Sequence, residues 1–212
     1  MESLSSPNSH IEESSSTREK REQILRGAMH VFLSQGYAGT SMDRAAAAAG
    51  VSKQTIYSHF QDKEGLFSAL IERVTINRMQ LDFVAEASHG EPVVLLRRLA
   101  NTFLQKMTDE EYLALLRVVI AESVRFPELA QLYTRTVIQR AQHTLSIYFK
   151  SHVELGIEDP EAIARIFWGS LVSFLVSQEI LYGKLVMPME KDRFVNNLVE
   201  LVLSKTQSFS KE

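Results

Sequence analysis

The chain has 212 residues, 45% of them hydrophobic and 23% charged, which is enough apolar content for a sizeable core in one or two globular domains. It has no cysteine, which excludes disulfides, thiolate metal sites and thiol catalysis. Its formal charge of −3 argues at first sight against a polyanionic partner. With no secretory leader pattern and no run near the roughly 20 apolar residues that span a bilayer, a cytoplasmic chain without membrane contact is expected.

Charge is unevenly placed. Residues 1–17 carry −3, residues 18–63 carry +3 and residues 64–212 carry −3, so the single positive segment lies near the N-terminus. Its sign suits a phosphate partner. Residues 1–17 include seven serines and Glu2, Glu12 and Glu13, with little to bury, and are expected to form a disordered arm.

Order is expected from Ser16, a helix cap with Glu19 three residues on. Ile24, Ala28, Val31 and Phe32 then share one helical face, and Gly36 and Gly39 around Tyr37 end that helix. Thr40 is expected to cap the next, with Asp43 in the reciprocal position. The run Ala45–Ala49 favours helix and permits close approach. Gly50 supplies the backbone freedom of a tight turn, Val51 plugs it, and Ser52 caps a third helix whose Ile56 and Phe60 point inward. From Lys63 the apolar positions Leu66, Phe67, Leu70, Ile71 and Val74 continue toward Phe83. That spacing predicts a helix of about 30 Å that leaves one domain for another, with the boundary near residue 75.

Helix follows helix thereafter. Pro92 opens a segment bearing Leu95, Leu99, Phe103 and Met107. Thr108 and Glu111 form an expected capping box before Leu113, Leu116, Val119 and Ile120. Pro127 starts a long segment through Leu132, Val137, Leu145 and Phe149. Asp159–Pro160 is a further start signal, followed by Ile163, Ile166, Phe167, Ser170, Leu171, Phe174, Leu175 and Gln178 at 3-4 spacing. A last helix is expected over about 190–205, with Phe194, Leu198 and Leu201 on one face. No period-2 run and no internal repeat is present. The predicted fold is all-α.

The most informative stretch is Thr40–Lys63. Two short helices meet at Gly50, and the second presents Ser52, Lys53, Gln54, Thr55, Tyr57 and His59, with Lys63 just beyond. Gln54 and Thr55 can reach base edges, so the pattern reads as a helix-turn-helix over 41–60 aimed at the major groove of double-stranded DNA. Taken singly, Tyr57 and His59 are as compatible with a small core and the lysines with ordinary surface. Only the joint spacing favours the nucleic-acid reading.

The segment VSKQTIYSHFQDKEGLF (Val51 to Phe67), preceded by TSMDRAAAAAG, resembles the DNA-binding module of the TetR/AcrR family of transcriptional regulators over residues 18–75. The turn Gly50–Val51–Ser52, the Tyr57, His59, Phe60 cluster and Lys63 are the specific part. Ala45 is smaller than the aliphatic residue such proteins usually carry there. LRVVIAESVRFPELAQLY (Leu116 to Tyr133) is similar, more weakly, to the regulatory domain of an AcrR-like or AefR-like branch.

The resemblance implies that Thr40 and Ser41 anchor a phosphate at the second helix and that Arg44 lies beside the groove. It implies that Lys53, Gln54 and Thr55 enter the groove, while Tyr57, His59 and Lys63 hold the backbone. It further implies that residues 76–212 form a helical regulatory domain that dimerises and takes a small-molecule effector. Candidate interface residues are Gly169, Ser173 and Ser177, small and four apart, with Phe194, Leu198 and Leu201. Candidate pocket residues are Phe103, Met107, Phe126, Tyr133, Phe167, Trp168 and Phe174, which favour an apolar or aromatic effector.

The expected function is therefore a ligand-responsive regulator, a repressor released from a palindromic operator, without cofactor or metal. A helical enzyme or an interaction protein with a vestigial helix-turn-helix is the alternative. No GxGxxG, P-loop, GxSxG or HExxH motif occurs, and His10, His30, His59, His89, His143 and His152 show no ligand spacing.

Overall fold

The computed structural model describes residues 15–75 and 91–204. The expectations for most of the serine-rich arm and for the stretch toward Phe83 lie outside the described residues. Those residues contain helices and no strand, and they divide into two compact units, Met1–Leu66 and Phe67–Glu212.

In the first unit α1 spans Ser15–Gly39 and buries Ile24, Leu25, Ala28, Met29, Val31 and Phe32, the face that the 3-4 spacing predicts. Gly36 interrupts it at φ 68°, ψ −179°. Tyr37 then turns back so that its ring stacks on Phe32, with centroids 5.8 Å apart. The Thr40 hydroxyl donates to the Gly36 carbonyl at 2.7 Å and is 3% exposed. Ser41, not Thr40, therefore caps α2 (Met42–Ala49), accepting from the Arg44 N–H at 3.3 Å. Met42, Ala45, Ala46 and Ala49 form its buried face.

Alanine is needed there because α1 comes very close. A Cβ at Gly27 would lie 2.5–2.7 Å from the Ala49 backbone and methyl. Ala45, smaller than the aliphatic residue usual there, is fully buried. Gly50 takes the left-handed conformation (φ 64°, ψ 36°). Its N–H donates to the Ala47 carbonyl and that of Val51 to the Ala46 carbonyl, a glycine-terminated helix end. The Gln23 side chain closes the seam by donating to the Ala49 carbonyl at 2.7 Å. Helix α3 (Lys53–His59) is capped by Ser52 and stopped by extended Phe60; Ile56 and Phe60 are buried as expected.

Helix α4 (Lys63–Val74) starts where Asp62 accepts from the Gly65 N–H at 2.7 Å. The division between units falls inside it, after Leu66. Leu66, Phe67, Leu70, Ile71 and Val74 are all fully buried.

The second unit continues with α5 (Pro92–Met107), α6 (Glu110–Glu122) and α7 (Pro127–Tyr133), which passes through a π-helical stretch, Thr134–Gln139, into α8 (Arg140–Ser151). Then come α9 (Pro160–Leu175), extended by π-helical Val176–Ile180, and α10 (Lys191–Ser204). Helix α8 packs along α9, and α5 packs on both α10 and α9. Arg73 and Glu111 form a part-buried ion pair at 2.9 Å.

The expected capping box at Thr108 is displaced by one residue. Thr108 donates back to the Leu104 and Gln105 carbonyls, and Asp109 caps α6. Asp159 caps α9 with Pro160 at its start. Residues Pro160–Ile180 are long and apolar enough by length and composition to cross a membrane, a correction to the expectation that no run came near that length. Within the unit this helix buries Ala164, Phe167, Trp168, Leu171 and Leu175.

The seam at Gly27 makes a stability prediction. Gly27→Ala, despite better helix propensity, should destabilise the chain by about 1–3 kcal/mol through overpacking. Gly65→Ala, whose added methyl meets only ordinary contact, should stabilise it by roughly 0.4–1 kcal/mol. Thermal unfolding of both variants beside the parent checks the opposite signs.

Candidate nucleic-acid interface and effector cavity

Helix α3 presents Lys53, Gln54 and Tyr57 to solvent on its outer side, Tyr57 at 44% exposure. Ser52 organises the start of the helix: its Oγ accepts from the Thr55 N–H at 3.1 Å and lies 2.8 Å from the Thr55 hydroxyl. Thr55 is half-buried, with its hydroxyl turned to the cap. Lys53 reaches back to α2 and pairs with Asp43 at 2.9 Å, and its ammonium also stands 5.9 Å from the Tyr57 ring centroid. The hydrogen bond and charge of Asp43 raise the Lys53 pKa above the usual lysine value.

Two expected phosphate contacts are otherwise engaged. The Thr40 hydroxyl is buried and spent on the Gly36 carbonyl, which leaves Ser41 as the exposed hydroxyl at the α2 start. Lys63 donates to the Tyr37 carbonyl at 3.0 Å, with its ammonium 4.2 Å from the Tyr37 ring centroid. It ties the start of α4 to the end of α1 before any ligand arrives. Arg44 remains exposed but donates to Gln35 Oε1 at 2.7 Å and to the Gly39 carbonyl. His59 is half-buried and tilted against Phe60. Asp43 and Tyr37, the partners that set these lysines, had no signal in the sequence, because the pairs are 10 and 26 residues apart.

The second unit encloses a cavity of about 440 Å³. Of the expected pocket residues, Phe103, Met107, Tyr133 and Trp168 line it. Phe167 does not: it is fully buried beside Trp168, roughly 100° round α9, and belongs to the core. Phe126 sits at the N-terminus of α7 under the Arg125 guanidinium rather than in the wall. Phe174 faces away, 4.5 Å centroid to centroid from Phe194.

Tyr112 was missed, although it shares the apolar face of Leu116 and Val119. Its hydroxyl meets that of Tyr133 at 2.7 Å, buried in the wall. Burial pushes both phenols up, Tyr133 the further, so both are neutral. Trp168 Nε1 donates to the Ala141 carbonyl at 3.0 Å, which fixes the indole across the cavity. Both π-helical stretches contribute to the wall, through Thr134, Val137, Ile138 and Val176. Among the described residues no group of three or more His, Asp or Glu is placed to hold a metal ion.

On the other side of α9 runs an open groove lined by Ile166, Gly169, Ser170, Ser173, Phe174, Ser177 and Phe194, with Met187 and Met189. The expected interface residues Gly169, Ser173, Ser177 and Phe194 meet there. Leu198 is buried inside its own unit, 5% exposed, and Leu201 stands out at 62% without joining the groove. The α10 face that packs inward is Val195, Leu198, Val199 and Val202, so the spacing of Phe194, Leu198 and Leu201 cut across two faces.

Comparisons with known proteins agree with this layout. Residues 24–70 match the bacterial regulatory proteins of the tetR family, and residues 95–205 match the C-terminal domain of AefR-like transcriptional repressors. The chain is 34% identical over 140 residues to the HTH-type transcriptional regulator AcrR of Shigella flexneri, a match covering 65% of this chain and 62% of that relative, less than two thirds of its length. A TetR-family structure from Mesorhizobium loti superposes with a TM-score of 0.72 at 29% identity, covering 91% of this chain and 98% of that one. The Flavonoid-responsive Regulator FrrA does so with a TM-score of 0.64 at 26% identity, covering 89% and 95%. With a helix-turn-helix module and an AefR-like domain together spanning most of its length, the chain belongs to the TetR family of bacterial transcriptional regulators.

Proposed function

We propose that this chain is a cytoplasmic transcriptional regulator that binds a palindromic DNA operator as a homodimer and is released by a small apolar or aromatic effector. The observation that carries this is the exposed edge of α3, where Lys53, Gln54 and Tyr57 are held outward by a left-handed turn at Gly50 and a serine cap. Gln54 is suited to adenine and the Thr55 methyl to thymine. Ser41, Ser52, Tyr57 and His59 are assigned as backbone contacts, and Arg44 lies beside the groove, within reach of a base or the backbone. Lys63 acts first as a strut, and its contribution to phosphate binding is shared with the Tyr37 carbonyl.

The groove of small and apolar residues on α9 supports a two-fold contact with a second copy, which sets two α3 helices on successive half-sites. The cavity supports an effector of aromatic character, as does the likeness to a regulator named for flavonoid response. Release is a shift of population toward a form with misplaced α3 helices, by as much as the effector prefers that form. Helix α4 is the carrier, since Lys63 at its start is tied to Tyr37 and Thr75 just past its end lines the cavity.

Electrophoretic shift with genomic fragments tests the core of the reading, and no salt-sensitive binding to any fragment would falsify it. Once an operator is in hand, Gln54→Ala or Thr55→Ala should lower discrimination between operator and random DNA by about 1–3 kcal/mol per lost base contact. Lys63→Ala should weaken binding to all sequences alike, and equal behaviour of the two classes would contradict the division between reading and anchoring.

Asp43 neutralises Lys53 on the face offered to DNA and adds a negative charge there. Asp43→Asn should therefore tighten non-specific binding and steepen the dependence of log affinity on log salt by roughly one counterion. Fluorescence anisotropy across a salt series measures that slope. For the dimer, Ser173→Arg in the α9 groove should give a folded monomer by light scattering and lose most operator affinity while leaving the helical content unchanged.

A further inference from the structure

The polar inventory of the cavity wall is short. Thr75, Ser123 and Thr134 line it, but each hydroxyl donates to a backbone carbonyl of its own helix. The Trp168 N–H is taken by the Ala141 carbonyl. Among the described residues, what remains is the Tyr112–Tyr133 pair, Arg140 and Gln142. The two tyrosine hydroxyls share one hydrogen bond, so one proton of the pair is left to donate and oxygen lone pairs are left to accept. Both rings are at least nine-tenths buried.

Charge is one-sided. The wall holds Arg140 and, among the described residues, no Asp, Glu, Lys or His. Arg140 is exposed, which places it at the rim, and it has no carboxylate partner among the described residues. Among the described residues a cationic ligand would find no carboxylate in the wall, whereas an anion at the rim would meet a guanidinium suited to a carboxylate. Tyr133 and Arg140 are seven residues apart on one continuous helical path, so their backbone positions are separated by about 10 Å. The same wall carries Phe103, Met107, Val137 and Trp168, apolar surfaces suited to a flat ring system.

Resting on the effector reading above, we propose that the cavity selects an amphipathic aromatic anion, with a phenol or carbonyl oxygen at the tyrosine pair and a carboxylate at Arg140. An uncharged hydrocarbon leaves the buried tyrosine proton unanswered, and a cation meets no carboxylate among the described residues of the wall.

The chain has a single tryptophan, and Trp168 is in the wall, so its fluorescence reports occupancy of this cavity directly. The test titrates the full-length protein with 6-hydroxy-2-naphthoic acid, its neutral methyl ester, and 2-naphthylmethylammonium, using calorimetry for affinity and Trp168 quenching for location. The acid should bind about tenfold more tightly than the ester, and the cation most weakly. Arg140→Gln should erase the preference of acid over ester while leaving ester affinity unchanged. The double variant Tyr112→Phe/Tyr133→Phe removes both partners of a buried bond at constant shape, so it should fold, and it should weaken acid and ester alike by about tenfold. Equal binding of all three probes, or an acid preference that survives Arg140→Gln, overturns the proposal while leaving an effector cavity in place. No binding and no quenching by any probe overturns the cavity reading and the proposal together.

Discussion

The contact on which the nucleic-acid end depends is the seam between α1 and α2, where Gly27 lies against Ala49. A helix pair that leaves no room for a single Cβ dictates alanine along the facing side of α2, and it sets where α2 ends. Because Ala49 is held at that distance, and its carbonyl is bound by Gln23, the chain must turn at once. Gly50 does so with a positive φ that other residues adopt only with strain. The serine cap then starts α3 on a heading at which Ile56 and Phe60 are buried and Lys53, Gln54 and Tyr57 are not. The exposed polar edge of α3 thus follows, along the chain, a tightly packed seam between α1 and α2.

In the second unit the organising element is α9, which divides two environments. Trp168, Val172 and Val176 look into the cavity, Ile166, Ser170, Ser173 and Phe174 look into the groove, and Gly169 borders both. Apolar residues are therefore needed nearly all round the helix, which is why its composition passes for a membrane span. The π-helical extension at Val176–Ile180 shifts the phase of the side chains where the helix leaves the cavity, and a second one at Thr134–Gln139 does the same on the facing wall. Such local changes of helical phase occur frequently at functional sites, because they aim side chains that a regular helix could not.

Much of this was legible in the sequence, because the relevant physics is local. Helix faces follow from 3-4 spacing, the Gly50 turn from the one residue type that tolerates it, and the Ser52 and Asp159 caps from side chains that reach the third N–H. What was misread has two causes. Thr40 and Thr108 each follow a helix and precede another, and each hydroxyl satisfies an orphan carbonyl behind it; the next residue, Ser41 or Asp109, takes the cap. A sequence shows both candidates but not which orphan group is nearer. The second cause is tertiary: Lys63 on Tyr37, Lys53 on Asp43, and Tyr112 on Tyr133 are pairings across elements. Phe167 and Trp168 are sequence neighbours of similar character, yet one is core and the other cavity wall, because a helix turns them about 100° apart.

The central claim is that α3 is a reading surface presented twice by a symmetric dimer. Selection from a random duplex library, read by sequencing of the bound fraction, tests it most directly. The account predicts enrichment of an inverted repeat whose half-sites are centred about one helical turn, roughly 34–36 Å, apart or a multiple of it. Enrichment of a single asymmetric site, or none above the input library, would contradict it.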